Sequence, residues 1–338
     1  MNTDKDLRNL GIYSLVVPSI FPTGDTRCFA AEGEDGWTLL DVGVSTPQAR
    51  EIWRSFLKEL GISFHQIRRI YLTHNHPDHC GIAGWLQQQS GAQVFLPRKD
   101  MPPLEKYKLP EKEQVEQLRI DMAPYGIADE MIVGIVKDIV LINAFFQPYA
   151  DVTPLDEGDS FRFGDDIYTV YGVPGHSDGH VLFLGQNHKC LFSGDAFLAD
   201  HVSQISDWPY STLADPLSEN LLALKRMTEL NPSRILPAHG PLFEEPAPRL
   251  VEIERLHLRR LNKVLNTLTG KMSLPELCQA INVKARVLQE FRVSWADTRA
   301  YLEYLWRRGL IEKTISGTVL YGNSATGQES PALHEIKL

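Results

Sequence analysis

Short apolar runs bounded by turn residues recur through the first 245 positions: 12–17, 38–40, 67–72, 92–96, 160–163, 167–173, 181–184, 190–193 and 234–237. Runs of this length and composition predict strands. Between them, 47–60, 81–89 and 217–230 carry apolar residues at helical spacing, and Gly61 supplies a stop for the first. Gly33-Glu34-Asp35-Gly36 predicts a hairpin turn. Strands alternating with helices favour layered α/β architecture.

Two stretches depart from that rhythm. Residues 97–150 have no strand signal until their end and predict two helices, near 111–123 and 128–146, after a Pro-rich entry. This stretch is expected to be a helical insertion or lid, with Ile132, Ile135, Ile139, Phe145 and Phe146 either walling a pocket or packing the helices onto the body. Trp208, Pro209 and Tyr210, in the segment after Asp195, are expected to border the functional site. From 246 the pattern becomes a long amphipathic helix (248–268), a helix opened by the capping box Ser273-Leu274-Pro275-Glu276, a helix over 294–308, and a hairpin around Ser316-Gly317. Three helices and a hairpin are the order of a winged-helix-like domain. The expected division is a body over 1–245, a second domain over 246–325, and a mobile tail over 326–338.

Charge sharpens that boundary. The chain of 338 residues has a formal net charge of -9, yet residues 251–338 are net +4. Arg255, Arg259, Arg260, Arg307 and Arg308 form local basic clusters there, but Trp295, Tyr301, Tyr304 and Trp306 interleave with them, which suits a packed core or a dimer contact better than a nucleic-acid stripe. Nucleic acid is therefore the lesser partner expectation. No apolar run reaches membrane-spanning length. The polar start lacks an apolar leader segment, and Cys28, Cys80, Cys190 and Cys278 lie far apart, so a reducing cytoplasm is the expected compartment.

The chemistry concentrates in Thr73-His74-Asn75-His76-Pro77-Asp78-His79, directly after a predicted strand. Imidazole and carboxylate groups suit zinc and similar ions. Alternate residues of an extended segment can face one point, as His74 and His76 would, and Pro77 helps fix the turn that Asp78 and His79 need. His176, Asp195 and His239 each follow another predicted strand and sit beside glycine. Loops at strand ends are where α/β proteins place their sites. These five His and two Asp are enough for two metal ions with an open position for water. Asp41, in LLDVG, is a candidate to orient a ligand from behind. His65, His188, His201, His257 and His334 read as ordinary hydrogen-bonded histidines.

The order HxHxDH, strand-end His, Gly-Asp, Gly-flanked His resembles the metallo-β-lactamase superfamily, within it the glyoxalase II-like hydrolases and the lactamase-like endoribonuclease group. The resemblance implies an αββα sandwich with the site at one edge. It implies a first metal on His74, His76 and His176, a second on Asp78, His79 and His239, and Asp195 bridging. The ions would be zinc, with iron or manganese accepted by the same donors. A metal-bridging hydroxide would then hydrolyse a small ester, thioester or lactone, with Asp78 also holding the nucleophile. Alternatives are a phosphodiesterase or endoribonuclease of the same fold, or a mononuclear-iron persulfide dioxygenase. Cys80 and the 97–150 insertion depart from glyoxalase II, which leaves the acyl group unnamed.

Overall fold

The computed structural model describes residues 3–281 and 288–323, apart from the side chains of residues 3–5 and 289. The expected tail over 326–338, and His334 with it, lies outside the described residues. After α1 (Thr3–Asn9), β1 (Ile12–Val17), β2 (Thr26–Glu32) and β3 (Trp37–Leu40) form an antiparallel meander, with the predicted hairpin at 33–36. Helix α2 (Pro47–Leu60) crosses to β4 (Ile67–Tyr71). The one-turn α3 (Pro77–Cys80) and α4 (Ala83–Ser90) then lead to β5 (Gln93–Pro97). The insertion holds α5 (Met101–Tyr107), α6 (Glu111–Met122) and α7 (Asp129–Asn143), after which β6 (Val152–Leu155) closes a six-stranded sheet in chain order.

The second sheet is built from β7 (Ser160–Phe163), β8 (Asp166–Gly172), β9 (Val181–Gly185), β10 (Cys190–Gly194) and, after α8 (Pro216–Glu229), β11 (Arg234–Pro237). Its order is β11-β10-β9-β8-β7, antiparallel except for β10 and β11.

Strand alternation explains why the two sheets stack. In β4, Tyr71 points between the sheets and Ile70 points outward. Tyr71 stacks on Phe95 and on Phe161 of the opposite sheet, with ring centroids 4.5 and 3.8 Å apart. Phe29, Phe163, Phe183 and Phe192 complete this inter-sheet layer. The outer face of the first sheet buries Trp53, Phe56 and Leu57 of α2, whose Thr46 hydroxyl caps the helix by accepting from the Ala49 amide. Burying each such side chain contributes about 1.5–3 kcal/mol. Leu224 and Met227 of α8 cover the other sheet. The result is the expected αββα sandwich.

The C-terminal part consists of α9 (Pro246–Thr267), β12 (Met272–Ser273), α10 (Leu274–Ile281), α11 (Leu288–Arg307) and the hairpin β13 (Ile311–Ser316) and β14 (Thr318–Asn323). Half of the Ser273 capping box forms: the Ser273 amide donates to the Glu276 carboxylate, and the Ser273 hydroxyl donates to the same carboxylate. The two-residue strand β12, not expected from the sequence, extends the hairpin to a sheet of order β12-β14-β13.

This part does not have a core to itself. Ile132, Ile135 and Ile139 of α7 lie in one buried cluster with Trp295, Tyr301, Leu302 and Leu305 of α11, and Trp208 and Tyr210 join them. The insertion's isoleucines thus pack against the C-terminal helices. Phe146 packs beneath the first sheet, while the half-buried Phe145 contacts Phe21.

The four cysteines are free and buried. No helix among the described residues is long and apolar enough to cross a membrane.

Candidate metal centre

All seven candidate ligands converge at one edge of the sandwich. His74 and His76 follow the end of β4 through a bend at residues 73–75, with His76 in extended backbone. Pro77 then opens a single helical turn that carries Asp78 and His79 back toward them. His176 follows β8, Asp195 follows β10 and His239 follows β11. The ligand atoms fall into two groups, His74, His76, His176 and Asp195, then Asp78, His79 and His239, each with its atoms within 4.8 Å of one another. Asp195 faces both groups. Its Oδ2 lies 3.4 Å from His176 Nε2, and its Oδ1 lies 3.2 and 3.3 Å from the Nε2 atoms of His79 and His239. Asp78 Oδ2 lies 3.5 Å from His239 Nε2.

Four of the imidazoles are held from behind, by an oxygen at Nδ1. The Asp41 carboxylate meets His79 at 2.9 Å, the Gln204 carbonyl meets His176 at 3.0 Å, and the Asp25 carbonyl meets His239 at 3.0 Å. Thr73 Oγ1 sits 3.0 Å from His74 Nδ1 and gives its own proton to Asp41. An Nδ1–H donated outward leaves the Nε2 lone pair facing in, as a metal ligand requires. His74 Nε2, His79 Nε2, His239 Nε2 and Asp195 Oδ1 are all buried without a hydrogen-bond partner. Buried polar atoms are normally satisfied, so four orphans aimed at one place fit bound cations.

The electrostatics divide the histidines. Burial, reinforced by the neighbouring imidazoles, pushes His74 and His76 well below the ordinary histidine range, so both are neutral. Burial also disfavours charge on His79 and His239, but Asp195, with Asp41 and Asp78 for His79 and Asp78 for His239, outweighs it and raises both. Burial works against ionised Asp78 and Asp195, yet the surrounding histidines, His79 foremost, hold both carboxyls below the usual range. The site is thus a buried anionic focus that attracts positive charge.

Three supporting residues escaped the sequence reading. His180 is fully buried, stacks on His74 with centroids 4.6 Å apart, and accepts at Nε2 from the Asp195 amide at 3.1 Å. Asp100, buried after β5, accepts from the Asn75 and Gly179 amides and from the Ser177 hydroxyl, tying the loop of His76 to the loop of His176. Burial raises its pKa to about 7 against those hydrogen bonds. Thr23 donates to Asp78 Oδ2 at 3.1 Å. The second His of GHSDGH was a visible signal for His180. Nothing in the sequence pairs Asp100 or Thr23 with the site. Of the remaining histidines, His188, His201 and His257 are bonded to Asp165, Asp200 and the Tyr301 hydroxyl, and His65 is exposed.

A family model described as "Metallo-beta-lactamase superfamily" matches residues 22–239, a span that holds every one of the seven. A probable metallo-hydrolase of Bacillus subtilis, YqjP, is 22% identical over 92% of this chain and 97% of its own. The acyl-coenzyme A thioesterase MBLAC2 of Gallus gallus is 35% identical, over 26% of this chain and 31% of its own. Among solved structures, the metallo-beta-lactamase family protein TTHA1429 of Thermus thermophilus aligns with a TM-score of 0.81 and 26% identity over 93% of this chain and 98% of that one. Its likeness therefore runs past residue 239 into the C-terminal helices.

Proposed function

We infer, for a chain that belongs to the metallo-beta-lactamase superfamily and is a hydrolase of that fold, that its seven convergent side chains hold two divalent cations and that its substrate is a small ester, thioester or lactone. The observation that carries the reading is the set of four buried, partnerless ligand atoms facing one another. His74, His76 and His176 would hold one cation, Asp78, His79 and His239 the other, with Asp195 between them. Zinc fits this donor set, and iron or manganese would also be accepted. Such a pair supplies a water of lowered pKa and a Lewis acid for the scissile carbonyl.

The chain's own groups do the rest. Asp78, kept ionised by His79 and steadied by Thr23, accepts a hydrogen bond from the attacking water and orients it. Asp41, Asp25, Thr73 and Gln204 fix the imidazoles, so the site needs little reorganisation when substrate arrives.

Two features favour a neutral acyl substrate. The loop that carries Thr23 and Asp25 to the site also holds Ile20, 54% exposed, and Phe21, packed edge-on against Phe145. That apolar edge suits an acyl chain. Among the described residues, the ion pairs that the seven make run between His and Asp, with no Arg or Lys side chain in them. The thioesterase relative supports the same class. We read residues 1–245 as the catalytic body, and 246–325 as a winged-helix-like scaffold.

A hydrolysis panel on zinc-loaded protein tests this, with acyl thioesters, aryl esters, lactones, a phosphodiester and single-stranded RNA. Acyl cleavage that disappears in His76→Ala supports it. Cleavage of the phosphodiester or RNA alone overturns the substrate class.

A further inference from the structure

We propose that the C-terminal helix α11 positions His176 through the strap of residues 203–208, with Gln204 and Asp297 as the positioning residues. This rests on His176 being a metal ligand, as argued above.

The strap leaves the segment after Asp195 and passes between the site and α11. On its inner side, the Gln204 carbonyl accepts from His176 Nδ1 at 3.0 Å, with the Ser203 hydroxyl 2.9 Å from the same nitrogen. One residue pair further on, the Ser206 amide donates to the Gly175 carbonyl at 2.7 Å, so the loop that carries His176 is bonded to the strap twice over.

On its outer side the strap is fastened to α11. Gln204 Nε2 donates to the Val293 carbonyl at 3.0 Å, the Ile205 amide to Asp297 Oδ1 at 3.3 Å, and the Asp207 amide to the Ala296 carbonyl at 3.2 Å. Arg299 binds the Asp207 carboxylate at 3.2 Å, and Arg260 of α9 lies 3.7 Å from Asp297. Ile205 is buried, and Trp208 meets Trp295 edge-on at 5.8 Å.

Gln204 is therefore a single residue bonded to both sides, by its main chain to the ligand and by its side chain to α11. The consequence is chemical. The Nδ1–H to carbonyl bond selects the tautomer whose Nε2 lone pair points at Asp195 and His76. Strap residues that lose α11 can drift, and His176 then loses the partner that fixes its ring. The C-terminal part thereby acts on the metal site without touching it.

The test is a titration of Zn2+ into chelator-stripped full-length protein, read by calorimetry as two separate affinities. Gln204→Glu replaces a donor by an acceptor facing the Val293 carbonyl, at a half-buried position. Asp297→Ala removes the acceptor for Ile205, and Asp297→Asn restores an acceptor oxygen. The expected result is a roughly 10–100-fold weaker affinity at one of the two sites in Gln204→Glu and Asp297→Ala, the other site unchanged, and recovery in Asp297→Asn. Should Asp297→Ala fail to fold, Gln204→Glu alone decides the matter. Wild-type affinities at both sites in Gln204→Glu, alongside loss of one site in His176→Ala, would overturn the strap's role and leave the ligand assignment standing. Retention of both sites by His176→Ala would overturn the ligand assignment, and this inference with it.

Discussion

The Asp41 carboxylate reaches two partners at once, His79 Nδ1 at 2.9 Å and, through both oxygens, the hydroxyl and amide of Thr73 at 2.8 Å. Thr73 in turn meets His74 Nδ1. One buried side chain thus fixes a histidine from each of the two ligand groups. Asp41 has a left-handed backbone, φ 48°, which asparagine also tolerates. Asp41→Asn should fold normally, because the change keeps shape and backbone. Its single acceptor oxygen replaces only one of the two carboxylate oxygens, so either the Thr73 amide or the pair of the Thr73 hydroxyl and His79 loses its acceptor, and Zn2+ affinity should fall by about 10–100-fold in a competition against a chromogenic chelator.

Gly194 stands where no side chain fits. A Cβ there would lie 2.8 Å from His180 Nε2 and 2.9 Å from Thr73 Oγ1, on a backbone with φ +50°. Gly194→Ala should push His180 off the Asp195 amide and shift the shared carboxylate. Metal content per chain, measured by elemental analysis after gel filtration, should fall, with the far-ultraviolet circular dichroism unchanged.

Ile135 and α11 belong to one core. Truncating this fully buried residue to alanine should cost about 2–5 kcal/mol. The distinguishing result is where the loss appears. Hydrogen exchange should accelerate both in α7 and in α11, although only α7 carries the change.

His257 is buried against Tyr301, and burial, with Arg260 adding to it, lowers its pKa to about 3. An unfolded histidine titrates near about 6.5. Between those values the unfolded chain binds more protons than the folded one, so this group's contribution is complete above about pH 6.5 and is lost as pH falls toward about 3. His257→Phe should lower Tm at neutral pH, by removing the His257 partner of the buried Tyr301 hydroxyl and leaving it only the Arg260 guanidinium. It should also flatten the decline in Tm on the acid side relative to wild type, with both proteins stripped of metal.

The site was legible because its ligands announce themselves locally. Four of the ligands crowd residues 74–79 after β4 with Pro77 among them, His176, Asp195 and His239 each follow another strand beside glycine, and strand ends of one direction meet at one edge. The strands that escaped had physical reasons to. Residues 152–155 contain Pro154, which cannot donate to a ladder; β6 tolerates it as the edge strand of its sheet. In β2, Thr26 and Arg27 at one end and Glu32 at the other leave only the short run 28–31, and burial comes from both sheet faces. Helix α5 has Pro102 and Pro103 in its first turn, where a missing amide costs nothing, so it read as coil. The strap could not be read at all. Gln204 serves His176 through its backbone carbonyl, and a main-chain atom leaves no mark on residue type. The merging of insertion and C-terminal helices into one core was likewise hidden, since amphipathic faces show that a helix packs and not what it packs against.

The most direct test of the two-cation hydrolase is the dependence of acyl-thioester hydrolysis on Zn2+ added stepwise to stripped protein. The expected rate is negligible at the start and rises to a plateau at two equivalents per chain, with His76→Ala and Asp195→Ala inactive throughout. Hydrolysis by stripped protein, or by both variants at the wild-type rate, would contradict it.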